Sequence, residues 1–160
     1  MFFLRSRLLH CSFLFIFAAL LAFGSCSRAS GPVFGAGLSG AGESGLYLYR
    51  RGALAAYGQH FAVLVDGKPA GFIANASYLR LSLTPGKHRL QIAPGGMAQV
   101  TTLQVETGSD GRTFYEFVFP TGWEIRPSFR GAAIEARPEP LALEAMQGLR
   151  RMAATAPIDT

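Results

Sequence analysis

The stretch from Phe61 to Ile92, FAVLVDGKPAGFIANASYLRLSLTPGKHRLQI, decides the fold. It reads as four short strands joined by three turns. Asp66-Gly67 lies between apolar runs, and both central residues of a type I′ hairpin turn need φ > 0, which Asp and Gly tolerate. After Asn75-Ala76-Ser77 the chain alternates strictly: Leu79, Leu81 and Leu83 point one way, Tyr78, Arg80 and Ser82 the other. Thr84-Pro85-Gly86-Lys87 follows. Pro85 presets φ at the first central turn position and Gly86 supplies φ > 0 at the second, which predicts a second hairpin. Its return strand sets Leu90 and Ile92, with His88 in the same parity, against Arg89 and Gln91.

The flanks extend the same pattern. Leu46-Tyr47-Leu48-Tyr49-Arg50 alternates and is rich in strand formers. Residues 52–60 form a small-residue connection, and Ala93-Pro94-Gly95-Gly96 breaks the chain. A strand is expected over 99–106, with Leu103 and Val105 within it, then a turn at Gly108-Ser109-Asp110-Gly111. Residues 113–119 form the most aromatic strand: Tyr115, Phe117 and Phe119 share one face, Phe114, Glu116 and Val118 the other. Large apolar groups on both faces predict a central strand covered on both sides. The chain then turns at Pro120-Thr121-Gly122 towards Trp123, and a last strand over 132–136 sets Ile134 inward and Glu135 outward.

The period changes at the end. In LALEAMQGLRRM, residues 141–152, Leu141, Ala145, Leu149 and Met152 fall on one helical stripe. Glu139 and Glu144 near its start and Arg150 and Arg151 near its end suit the helix macrodipole. The expected fold is therefore mainly β, an antiparallel immunoglobulin-like β-sandwich of seven or so strands with a short C-terminal helix, spanning 46–152. Residues 153–160 read as a tail.

The N-terminus carries a different signal. Arg5 and Arg7 make a charged region, residues 11–23 (CSFLFIFAALLAF) an apolar one, and Gly24, Ser25 and Cys26 follow. That order predicts a secretory signal peptide over 1–25, because a spanning helix needs about 20 apolar residues. Phe23-Gly24-Ser25-Cys26 resembles a bacterial lipobox, whose cysteine is acylated with palmitate-type chains; leucine is usual where Phe23 stands. Ordinary peptidase cleavage near Ser25 or Ser27 is the other reading. The chain has two cysteines. Cys11 leaves with the signal, so no internal disulfide is available and an acylated Cys26 explains the remaining thiol. Residues 26–45 are Gly-, Ala- and Ser-rich and read as a flexible tether with an end-to-end distance of roughly 25 Å. Ser27 after the cysteine resembles the pattern that favours outer-membrane sorting, placing the domain in the cell envelope facing the periplasm. Two of the 15 basic residues lie in the signal, leaving 13 against 10 acidic ones, a balance that permits but does not demand a polyanionic partner.

The order Leu46-Tyr47-Leu48-Tyr49-Arg50, Val63-Leu64-Val65-Asp66-Gly67-Lys68, Ala76-Ser77-Tyr78-Leu79 and Leu83-Thr84-Pro85-Gly86-Lys87-His88-Arg89-Leu90 resembles a family of bacterial lipoproteins known as domain of unknown function 2846. Thr113-Phe114-Tyr115 fits it as well. The resemblance covers about 46–151 and implies an exported, tethered, β-rich protein. The family has no assigned catalytic residues, so none is implied here. The loop 51–60 departs from it in lacking a Pro-Ser after the arginine.

For chemistry, His60 and His88 are the histidines outside the signal. His88 is either a ligand or polar contact near a turn, or a half-buried turn residue donating to a backbone carbonyl. A metal site needs three or four ligands, and no His, Cys or carboxylate cluster has that spacing. No nucleophile elbow or phosphate loop is present. Glu116 and Glu124 invite a glycosidic carboxylate pair, against which stands a solvated strand face for each. Tyr47, Tyr49, Tyr78, Phe114, Tyr115, Phe117, Phe119, Trp123 and Phe129 with Arg50, Arg80, Arg126 and Arg130 would make a stacking platform for sugars. The plainer reading gives the rings to the core and the arginines to its rim. Export argues against nucleic acid. The expected activity is a membrane-tethered, non-enzymatic binding or scaffolding module with no cofactor. Cys26 is its lipid site, His88, Arg50, Tyr78 and Trp123 form its binding surface, and an envelope protein or glycan is its partner. The alternatives are a glycan- or peptidoglycan-binding domain and an envelope hydrolase.

Overall fold

The computed structural model describes residues 29–35, 45–54, 56–94, 100–109, 111–118 and 132–155. Among them are nine strands, β1 (Gly45–Arg50), β2 (Phe61–Val65), β3 (Lys68–Ile73), β4 (Ser77–Leu81), β5 (Gly86–Pro94), β6 (Thr101–Thr107), β7 (Arg112–Val118), β8 (Ala133–Arg137) and β9 (Arg150–Arg151), and one helix, α1 (Glu139–Met146). The signal segment, Cys26, Phe119, Trp123, Glu124, Arg126, Phe129 and Arg130 lie outside the described residues.

The fold is mainly β, two sheets stacked as a sandwich with a C-terminal helix. One sheet has the order β8-β7-β1-β4-β9 and the other β3-β2-β5-β6. Most pairs are antiparallel; β1 with β7 and β4 with β9 are parallel. The alternation read from sequence explains what lies between the sheets. Leu46, Leu48, Leu79, Leu81, Tyr115, Phe117 and Ile134 meet Phe61, Val63, Val65, Ile73, Leu90, Ile92 and Val105 in one core. A large aliphatic side chain buried there contributes about 1.5–3 kcal/mol relative to exposure. β7 is an inner strand covered on both faces, as its aromatic content predicts.

The β2–β3 hairpin forms at Asp66-Gly67, with φ of 51° and 80° at the two positions. The second expected hairpin does not form. β4 belongs to the first sheet and β5 to the second, so Thr84-Pro85-Gly86 carries the chain across the sandwich. The physical reason lies in the faces that alternation leaves over. Leu79 and Leu81 face Leu90 and Ile92 across the core, and stacking the strands buries both sets at once. The outer faces differ: Tyr78 on β4 is buried, whereas Arg89 on β5 is exposed.

The helix is shorter than its expected stripe and turned. It buries Ala142 and Met146, while Leu141 is exposed. Gly148, at φ 80°, ends it. The Leu149 N–H bonds the Met146 carbonyl, and Arg150 and Arg151 become β9 instead of a last helical turn. Their expected role at the helix dipole is lost.

Part of the expected tether is docked. Residues 29–35 lie along β9: Gly31 N–H to Arg151 O at 3.2 Å, Arg151 N–H to Pro32 O at 3.0 Å, Phe34 N–H to Leu149 O at 2.7 Å and Gly148 N–H to Phe34 O at 3.1 Å. Phe34 and Ala29 are buried. We call this segment the strap. Gly31 is required by contact, because a Cβ there would stand 2.3 Å from the Arg151 carbonyl oxygen.

Candidate functional site

The outer face of the first sheet gathers the rings that alternation turns away from the core. Tyr47, Tyr49, Tyr78 and Phe114 pack under Ala142, Met146, Leu149 and Phe34. Tyr47 stacks on Phe114 at 5.1 Å between centroids, and Phe34 meets Tyr78 edge-on at 5.4 Å. These rings, with Tyr115 and Phe117 inside the sandwich, are buried and cannot form a stacking surface for sugar.

At the margin of that cluster sits Glu116, buried and not solvated as a strand-face residue would be. Its parity is that of Phe114, which sends its side chain to the helix-covered face. Arg51 Nε contacts one carboxylate oxygen at 2.5 Å and Arg137 Nε the other at 2.9 Å, with the Tyr49 hydroxyl 3.5 Å away. Glu116 lies directly opposite Glu135 in the β7–β8 register, an unfavourable like-charge pair. Arg137 relieves it by also bonding Glu135 at 2.6 Å. Burial, and then the Glu116 charge, push the Tyr49 hydroxyl up to about 12, so it stays protonated and donates. The result is a fixed carboxylate that aims two guanidinium groups. The Arg51 side chain is 61% exposed, placing a cation at the surface beside the cluster. Its chemistry suits holding an anionic group better than moving a proton.

His88 occupies a second polar knot. Its Nδ1 is 2.8 Å from Asp66 Oδ2 and its Nε2 2.8 Å from the Thr84 carbonyl oxygen. Both partners accept, so both ring nitrogens donate only in the imidazolium form. The Arg89 backbone N–H donates to Asp66 Oδ1 at 2.7 Å, and Thr107 Oγ1 donates to Thr84 O at 2.8 Å. Burial favours the neutral ring, but the bonds to Asp66 and Thr84 and the Asp66 charge outweigh it and raise the His88 pKa. The Arg89 N–H and then His88 hold Asp66 below its ordinary value. His88 thus donates to a backbone carbonyl, as one sequence reading has it, but buried instead of half-buried. It pins the β2–β3 turn to the chain crossing between the sheets.

Arg50 is buried, not at the rim. Its Nη2 donates to Ala56 O at 3.0 Å, its guanidinium lies 5.2 Å from the Phe61 ring centroid, and burial lowers its pKa to about 10. Arg50, Tyr78 and His88 therefore do not converge on one surface. Arg50 points between the sheets, Tyr78 points to the helix side, and His88 belongs to the other sheet. Trp123 and Cys26 fall outside the described residues. Sequence reasoning missed Arg51, Arg137 and Asp66. The parity of Glu116 with buried Phe114 was the available sign that a counter-charge must exist; which arginines supply it depends on strand register. Among the described residues, no group of three or more His, Cys, Asp or Glu is placed to hold a metal ion.

No protein-family model, no curated protein and no solved structure matches the chain.

Proposed function

We propose that the chain is an exported bacterial lipoprotein, acylated at Cys26, whose sandwich is a non-enzymatic binding or scaffolding module of the cell envelope. The observation that carries this reading is the leader itself: Arg5 and Arg7, the apolar run 11–23, then Gly24-Ser25-Cys26 immediately ahead of the folded part. Membership of the lipoprotein family resembled by its motifs belongs to the same proposal, as does a periplasm-facing site at the outer membrane. The non-enzymatic element draws support from how the acid–base candidates are used. Both Glu116 oxygens are held by arginines and both His88 nitrogens by acceptors, so each group serves to hold structure. The partner class is an envelope protein or glycan that meets the surface beside Arg51.

Intact-mass measurement of the protein from native membranes tests the anchor. The expected product begins at Cys26 with acyl chains attached, and Cys26→Ser leaves the membrane fraction. An unmodified Cys26, or a mutant that stays in the membrane, overturns it. In-cell crosslinking from the neighbouring exposed position 53, with Arg51 kept in place, then tests the module. A defined envelope protein or glycan adduct that disappears with Arg51→Ala supports it. Turnover of an envelope polymer by the purified protein refutes it.

A further inference from the structure

We propose that the strap holds the sandwich directly against the bilayer, with the side built from the strap and β9 facing the lipid headgroups. The inference rests on the reading of Cys26 as the anchor. A tether over 26–45 would let the domain roam roughly 25 Å from the membrane. The docked strap shortens that connection. Ala29 is already buried in the fold, and only Ser27 and Arg28 separate it from Cys26. Three Cα–Cα steps of 3.8 Å span at most about 11 Å, close to the Debye length of about 8 Å at physiological salt.

The surface brought to that distance has suitable chemistry. Arg150 is exposed and Arg151 partly so, and neither forms an ion pair with a described residue. Arg28 adds a third basic residue in the sequence. Basic residues beside a lipid anchor are drawn to anionic headgroups. Val33, paired with Arg150, is 44% exposed, giving an apolar side chain flanked by cations as an interfacial surface requires. Two other edge strands lie away from this side. β8 stands at the other end of the first sheet, and β6 is three strand spacings, about 14 Å, from β3 in the second.

The test places a photo-crosslinking benzophenone amino acid at Val33 or at exposed Gln104 on β6. The mature protein, anchored at Cys26, sits in vesicles of phosphatidylethanolamine and phosphatidylglycerol. Lipid adducts read by mass spectrometry should be several-fold more abundant from position 33. Gly31→Ala, which drives a Cβ into the Arg151 carbonyl, and a Gly/Ser insertion between Arg28 and Ala29 should both bring the ratio towards one. Equal yields from the two positions in the unaltered chain, or a ratio that survives the insertion, overturn the proposal. Intact mass reports acylation separately. If Cys26 proves unmodified, coupling its thiol to a maleimide lipid gives the same adduct ratio. The anchor and the orientation therefore fail independently.

Discussion

At the scale of single residues, two polar knots carry sharp expectations. Glu116 is buried between two arginines whose outer parts reach water. Glu116→Gln should destabilise the protein by about 2 kcal/mol, below the 3–5 kcal/mol typical of a fully buried pair. Urea denaturation at neutral pH measures it, and a change under about 0.5 kcal/mol, the size of an ordinary surface substitution, would show the carboxylate to be dispensable. The His88–Asp66 pair makes stability depend on pH from both sides. The His88 pKa is raised on folding, so its contribution is complete below the ordinary 6.5 and is lost as pH rises through the folded value. The Asp66 pKa is lowered, so its contribution is complete above the ordinary 3.8 and is lost as pH falls through the folded value. The pair therefore contributes most between these two ordinary values. Thermal melts of the wild type and His88→Gln should differ most in that window and converge at higher pH. A difference that grows with alkalinity would contradict the imidazolium assignment.

At the scale of elements, the helix end offers a test whose sign decides between two structures. Gly148 has φ 80° and open space where a Cβ would go, so Gly148→Ala should cost about 1 kcal/mol through left-handed backbone strain alone. Were the helix continuous to Met152, the same change would stabilise it by up to about 1 kcal/mol. Calorimetric melting temperatures separate the outcomes. The same helix shows what could be read in advance. Strand existence and facing were legible from alternation, and the buried rings of β7 and the Asp66-Gly67 turn followed from residue type alone. The partner of each strand was not. Thr84-Pro85-Gly86 signals a reversal, but whether the reversal joins neighbours in one sheet or crosses to the other depends on what covers Tyr78. That cover, α1 with Phe34, comes from the two far ends of the chain. The helix stripe misleads because it runs on through Gly148, whose positive φ ends the helix. For the polar knots, parity sets His88 with Leu90 and Ile92 and Glu116 with Phe114, but the solvated face expected for Glu116 is wrong because α1 covers it, and Arg51, Arg137 and Asp66 meet the two groups only through register.

At the scale of the whole molecule, the strap is part of the domain's stability and not an appendage. Phe34 is buried against Tyr78 and the helix, so Phe34→Ala should cost about 3 kcal/mol and release the strap, seen as a lowered denaturation midpoint and new proteolysis within 29–35. An unchanged midpoint would return the segment to the status of a tether. The residues after the helix are equally integral. Met152 N–H bonds Tyr78 O at 2.8 Å and Thr155 N–H bonds Ala70 O at 3.0 Å, closing the gap between β4 and β3. Consequently the first described segment of the chain finds its partner strand only after residue 151 has been synthesised. Domains generally begin folding from the N-terminus as they are made, but this one has its keystone at the far end. Were the chain exported as proposed, the strap could not close on β9 until residue 151 had crossed the membrane, so the last step of folding would fall at the very end of the passage.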